Sequence, residues 1–307
     1  MHLSAAIQGY WLARKRDLSP DTVTDYRLSF RRLVEYLDDP PFADIKSDDI
    51  HAFLNYWSGR LSNKSVANIW IALSSLWSWA ETEPALRTRH IIRGAVRQPK
   101  YTSPPVIPFT QDEIKRILAA ITLTAPRASR SGGIYTSKRT TALRDRAIVF
   151  TLLDSGMRNA ELCNLCVGDY NQDRGELRIH KGKGDKGRVV YVGQRTRRAL
   201  WRYLAGRADP PPGQALFATR TNRHIDPNAL YRMLNTTGDR AGIRDVYPHR
   251  FRHTFAITYL RNGGDPLTLQ RILDHESMAT VQIYVKLAEV DIERSQVAAS
   301  PADNWRL

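Results

Sequence analysis

Apolar positions recur at steps of three and four through the first ninety residues, which predicts helices and no strands there. Leu3, Ile7, Tyr10 and Trp11 share one face of an opening helix. In "SPDTVTDYRLSFRRLVEYLDD", Ser19 as N-cap and Pro20 at the first helical position mark a start. Val23, Tyr26, Phe30, Leu33 and Leu37 then form one stripe. "SDDIHAFLNYW" repeats the logic, with Ser47 as cap and acidic residues in the first turn. "SNKSVANIWIALSSLWSWA" turns Val66, Ile69, Leu73, Leu76 and Ala80 inward, and its Trp70, Trp77 and Trp79 read as inter-helix packing.

The period then breaks. "RQPKYTSPPVIP", residues 97–108, holds Pro99, Pro104, Pro105 and Pro108 and reads as a semi-extended linker. Beyond it, a capping box from Thr110 to Glu113 opens a helix carrying Ile114, Ile117, Leu118 and Ile121. "TLTAPRASRSGGIYTSKRT" predicts a long basic loop, and "TALRDRAIVFTLLDSG" a helix ending at Gly156. Around "GELRIHKGKGDKGRVVYV" the period changes to two, with a Gly/Lys/Asp turn between two short strands. Helices return, among them "YPHRFRHTFAITYLRNGG", which starts near Pro248 and stops at Gly263 or Gly264. The expected class is mainly α with a small antiparallel β-hairpin or sheet in the C-terminal domain (α+β). The expected domains are residues 1–96, a linker over 97–108, and residues 109–307.

Composition adds a partner. Of 307 residues, 42% are hydrophobic, so the chain is globular and long enough for two domains. No apolar run reaches the roughly 18 residues of a membrane span, and the N-terminus lacks the parts of a signal peptide; a cytoplasmic protein is expected. Lys and Arg number 46 against 31 Asp and Glu, a net charge of +15. That excess favours a polyanionic partner such as nucleic acid. The two cysteines, Cys163 and Cys166, lack the further ligands of a zinc site and read as small apolar side chains on a helix.

Four polar clusters in the second segment are not needed for packing. Arg158 follows a helix stop with Glu161 three residues on; lysines crowd the hairpin tip; His249 and Arg252 lie one helical turn apart; His275 precedes Tyr284 by nine residues. Each alone has a bland explanation: a surface ion pair, a solvated turn, a cap, a packed ring. Zinc is excluded at His249 and His253, because the metalloprotease pattern wants glutamate where this chain has Arg250. Together the clusters hold the parts for phosphoryl transfer without a metal. Arginines clamp nonbridging oxygens, a lysine or histidine protonates the leaving oxygen, another histidine accepts a proton, and a tyrosine in a cationic pocket becomes a nucleophile.

In order and spacing these clusters resemble the boxes of the tyrosine recombinases, the phage-integrase family, and within it the compact Xer-type members. The resemblance runs from the first helices to about Val285. "LLDSGMRNAELCNL" resembles the first box, which implies Arg158 as a catalytic arginine and Glu161 as its acidic partner. "HKGKGDKGRVVYV" resembles the family's strand turn and implies Lys183 as the catalytic lysine, with Lys181 and Lys186 as neighbouring alternatives. "HRFRHTFA" implies His249 and Arg252, and "LDHESMATVQIY" implies His275 and the nucleophile Tyr284. Asp274 stands where the box carries glycine.

The resemblance implies a helical, SAM-like core-binding domain and a catalytic domain that clamp double-stranded DNA at specific recombination sites. It also implies a 3′-phosphotyrosine intermediate, a Holliday junction, a dimer on each site and a tetramer in the synapse, of identical or paralogous subunits. The segment after Tyr284 is expected to be exchanged between protomers. No cofactor or metal is expected, since the phosphodiester energy is kept in the covalent link. The basic stretch at 122–140 points weakly to a mobile-element enzyme. A type IB topoisomerase and a non-catalytic DNA-binding protein are the alternatives.

Overall fold

The computed structural model describes residues 1–86, 88–101, 106–122, 127–128, 134–135, 139–180, 187–274, 277–288, 297 and 300–304. Two compact units divide between Pro105 and Val106. Among the described residues, no helix is long and apolar enough to cross a membrane.

The first unit is built on four helices, α1 (Leu3–Arg14), α2 (Pro20–Leu37), α3 (Ser47–Trp57) and α4 (Asn63–Ala80). Ser19 caps α2 as its position suggests, accepting from the Thr22 N–H at 3.2 Å. Ser47 does not cap α3. It is the first helical residue, and its hydroxyl donates to the Ile91 carbonyl at 2.7 Å. Its place in the cap is taken by Asp49, whose carboxylate accepts from the Lys46 N–H at 2.8 Å. A hydroxyl near a helix start thus served a partner 44 residues away, which no local pattern announces.

The inward stripe of α4 is buried as expected. Its tryptophans pack: Trp77 stacks on Phe42, Trp79 meets Tyr10 edge-on, and Trp70 donates to the Val96 carbonyl at 3.0 Å. A Cβ on Gly9 would meet the Trp79 ring at 2.9 Å, so the missing side chain is what lets α1 approach α4 so closely.

The second unit is mostly helical around one three-stranded antiparallel sheet. Among the described residues its main elements are α5 (Gln111–Thr122), β1 (Arg127–Ala128), β2 (Ile134–Tyr135), α6 (Ala142–Ser155), α7 (Asn159–Asn164), β3 (Tyr170–Asn171), β4 (Glu176–Ile179), β5 (Arg188–Tyr191), α8 (Gln194–Ala205), α9 (Pro227–Ala241), α10 (Pro248–Arg261), α11 (Pro266–Leu273) and α12 (Met278–Ala288), with one further turn of helix at Pro301–Asn304. The sheet runs β3-β4-β5, with Leu177 opposite Val190. The hairpin is where the two-residue period places it; β3 is an addition, too short to show a period. Within the expected basic loop, β1 and β2 form a two-residue antiparallel ladder.

The Thr110–Glu113 capping box forms, with bonds of 2.8 and 3.2 Å. Helix α6 packs against α5, α8 and α10 and ends at Gly156 in the left-handed region, φ 58°. A Cβ there would also strike the Phe255 ring at 2.3 Å, so glycine is required twice over. Arg250, which stands where zinc chemistry wants glutamate, is structural. It donates to the Ile107 and Arg244 carbonyls and to Glu113, with its guanidinium 3.9 Å from the Phe109 ring centroid. Of the two cysteines only Cys163 packs on a helix; Cys166 lies beyond the end of α7, half-buried. Burial pushes the Cys163 thiol up to about 12, which makes it an unreactive filler.

Candidate active site

The end of α11 organises the polar residues of the second unit. The last carbonyls of a helix have no partner within it and carry its negative pole. Here three successive ones each accept from a different arginine. Arg188 Nε donates to Ile272 at 2.7 Å, Arg252 Nη2 to Leu273 at 2.7 Å, and Arg158 Nη2 to Asp274 at 2.9 Å. These arginines come from β5, from α10 and from the residue preceding α7. Three distant segments are thereby gathered on one turn, just before His275.

Glu161 holds the group together from the other side. Its carboxylate takes a bidentate pair of 2.8 Å bonds from Arg188, a 3.0 Å bond from Arg158 Nη1, and a 2.7 Å bond from the Arg158 backbone N–H. The Arg158–Glu161 pair is therefore no isolated surface ion pair. Burial alone would raise the Glu161 pKa, but the bonds from Arg188 and the Arg158 N–H, with both guanidinium charges, hold its carboxyl below the usual range.

Arg252 is buried, and Nη1 also donates to the Gly156 carbonyl at 2.8 Å, tying the end of α6 to the end of α11. Burial first, and the charge of Arg158 next, pull its pKa down to about 10. The pocket holds more positive charge than its acids balance, which is the condition for taking up an anion.

Tyr284, on α12, is 3% exposed. Burial raises its pKa and the nearby Arg252 charge works against that, so the resting phenol is protonated at neutral pH. Its ring meets His253 edge-on at 5.2 Å, and His253 meets His249 at 4.4 Å. His249 is exposed at the start of α10, one turn before Arg252. Lys183 and His275 lie outside the described residues, as do Lys181 and Lys186.

Arg158, Glu161 and Arg252 thus come together, with Tyr284 in reach of the Arg252 charge. Arg188 and His253 complete the group and were not singled out for it. For His253 a signal existed, because it lies four residues after His249 on one helix face. Arg188 had none beyond a charged residue opening a strand. Among the described residues, no group of three or more His, Cys, Asp or Glu could hold a metal ion.

Removing the Glu161 carboxylate is expected to destabilise the unit. Glu161→Ala strips the nearly buried Arg188 of its bidentate carboxylate, a loss of about 3 kcal/mol, read as a lower denaturant midpoint at neutral pH. The folded pKa of Glu161 is depressed, so its contribution is present above the unfolded carboxyl pKa and is lost as pH falls through the folded value. The variant should therefore lose less stability on acidification than wild type; parallel losses would contradict the coupling.

Comparison with known proteins matches both units. The phage integrase family profile covers residues 109–290, and that of the phage integrase N-terminal SAM-like domain covers residues 7–84. Tyrosine recombinase XerA of Pyrococcus furiosus is 32% identical over 212 residues, 68% of this chain and 67% of that protein. Tyrosine recombinase XerA of Thermococcus kodakarensis is 28% identical over 288 residues, 92% of this chain and 90% of that protein. In fold, the chain is similar to the XerH site-specific recombinase bound to palindromic difH substrate, with TM-score 0.72, 22% identity and coverage of 94% and 82%. It is similar too to a lambda integrase dimer bound to a COC′ core site, with TM-score 0.71, 19% identity and coverage of 91% and 97%. With more than half of its length matched by the catalytic-domain profile and the N-terminal profile ahead of it, the chain belongs to the phage integrase family.

Proposed function

We propose that this chain is a site-specific DNA recombinase that cleaves and rejoins strands through a 3′-phosphotyrosine. The observation that carries this is the convergence of Arg158, Arg188 and Arg252 on one helix end beside a buried tyrosine. Tyr284 Oη attacks the scissile phosphorus as the bond to the 5′-oxygen breaks. Lys183 protonates that oxygen, and His249 assists transfer of the phenol proton. Arg158, Arg252 and His275 stabilise the charge gathering on the nonbridging oxygens. Glu161, gripped by Arg188, orients Arg158. A partner strand's 5′-hydroxyl then reverses the step, and no external energy source or cofactor is consumed.

The partner is double-stranded DNA carrying specific recombination sites, bound by a dimer at each site and a tetramer in the synapse, of this chain or with a paralogue. A lambda integrase tetramer bound to a Holliday junction, similar in fold to this chain, supports that assembly as a template. We assign DNA binding to residues 1–96, connection to 97–108 and catalysis to 109–307. We also assign the protein to the cytoplasm, a reading in keeping with a DNA substrate.

Sequencing duplexes recovered from covalent complexes identifies the site, and two copies of it in one supercoiled plasmid test the proposal. Deletion or inversion products are expected with the purified protein. Relaxed plasmid without exchanged products would show a topoisomerase instead, and absence of any covalent complex would sink both.

A further inference from the structure

Asp274 does more than end a helix. It sits past α11 in the left-handed conformation, φ 54°, which aspartate tolerates better than most residues with a Cβ. Its backbone carbonyl and its carboxylate both face Arg158, at 2.9 Å from Nη2 and 3.3 Å from Nη1. The carboxylate also lies 4.0 Å from Arg188 Nη1. The Nη1–Nη2 end of the Arg158 guanidinium is thus taken up, with Glu161 sharing Nη1. Among the described residues, the Nε–Nη2 side has no other partner, and the side chain is 46% exposed.

Charge decides what this does. Glu161 is matched bidentately by Arg188, which leaves Arg158 and Arg252, among the described residues, as the arginines whose charge an incoming anion meets. Asp274 sets one negative charge against these two, beside the Arg158 side chain, which is half open to solvent. The positioning of Arg158 does not need that charge, since the backbone carbonyl supplies a bond whatever the side chain. An anion arriving on the Nε–Nη2 side meets the Asp274 carboxylate as a like charge across one guanidinium. Between groups so close, a unit charge changes affinity about tenfold or more in the partly solvated range of effective dielectric.

We propose that the Asp274 carboxylate is a built-in electrostatic competitor of the substrate phosphate for the charge of Arg158, and so restrains cleavage. This rests on the pocket being a phosphodiester site, as argued above. Asparagine keeps the left-handed turn and the shape while removing the charge; glycine keeps the backbone carbonyl alone; glutamate keeps the charge.

The test is the rate of covalent adduct formation on a nicked duplex carrying the recovered site, at DNA concentrations below saturation. D274N and D274G are expected to react about tenfold faster than wild type, and D274E within about twofold of it. In the uncleaving Y284F background, D274N should bind the same duplex about tenfold more tightly. If wild type forms adduct and both neutral variants are equal to it or slower, the competitor role is overturned and the recombinase reading stands. If neither wild type nor variants form adduct, that reading falls and takes the inference with it.

Discussion

Replacing Tyr284 by phenylalanine is expected to abolish covalent attachment to DNA while leaving DNA binding and the fold in place. The phenol oxygen is the only atom removed. The ring keeps its edge contact with His253 and its place in the cluster of Ile257, Leu260, Leu269 and Val281. A nucleophile has no substitute in a step where its oxygen forms the new bond, so the loss should be complete within detection, well beyond the 100- to 1000-fold typical of a single charge donor. Denaturing gels of trapped nicked duplexes report the adduct directly, and gel shift reports binding. An adduct in the variant would move the nucleophile elsewhere, and with it the meaning of the pocket.

Arg252→Ala is expected to have the second largest effect, and to show it in two independent measurements. One is the rate of adduct formation at saturating DNA, which should fall about 100- to 1000-fold, as for removal of one preorganised charge donor. The other is stability. The Gly156 and Leu273 carbonyls each lose their guanidinium partner at ends of α6 and α11, a cost of about 2 to 4 kcal/mol in total. Arg252→Lys should recover part of the rate and little of the stability, because an ammonium is a point charge that cannot span two carbonyls as the planar fork does. A variant that lost stability but kept its rate would make Arg252 a tie between helices and not part of the chemistry.

The two residues differ in how plainly the chain announces them. Arg252 stands three residues after His249, and Tyr284 nine after His275, so both belong to spacings visible without coordinates. The same holds for the helices: the Ser19 cap with Pro20, the Thr110–Glu113 box and the Gly156 stop all act within a turn of their own position. Ser47 shows the limit. Its sequence context is that of a cap, and a carbonyl 44 residues away claimed the hydroxyl. Arg188 shows it again, because its partners Glu161 and Ile272 lie 27 and 84 residues distant.

By itself the sequence determined the helical class, the hairpin, the basic charge and the identities of the residues that resemble the recombinase boxes. Periodicity, capping and charge are properties of neighbouring residues or of the whole composition, and they need no fold to be read. Packing of distant segments settled that three arginines meet successive carbonyls at the end of α11 and its cap, that Arg188 rather than solvent matches Glu161, and that Asp274 faces Arg158. Those bonds join segments that meet only when α6, α10 and α11 pack. Their electrostatics exist because that packing removes water and brings like charges close enough for one carboxylate to matter.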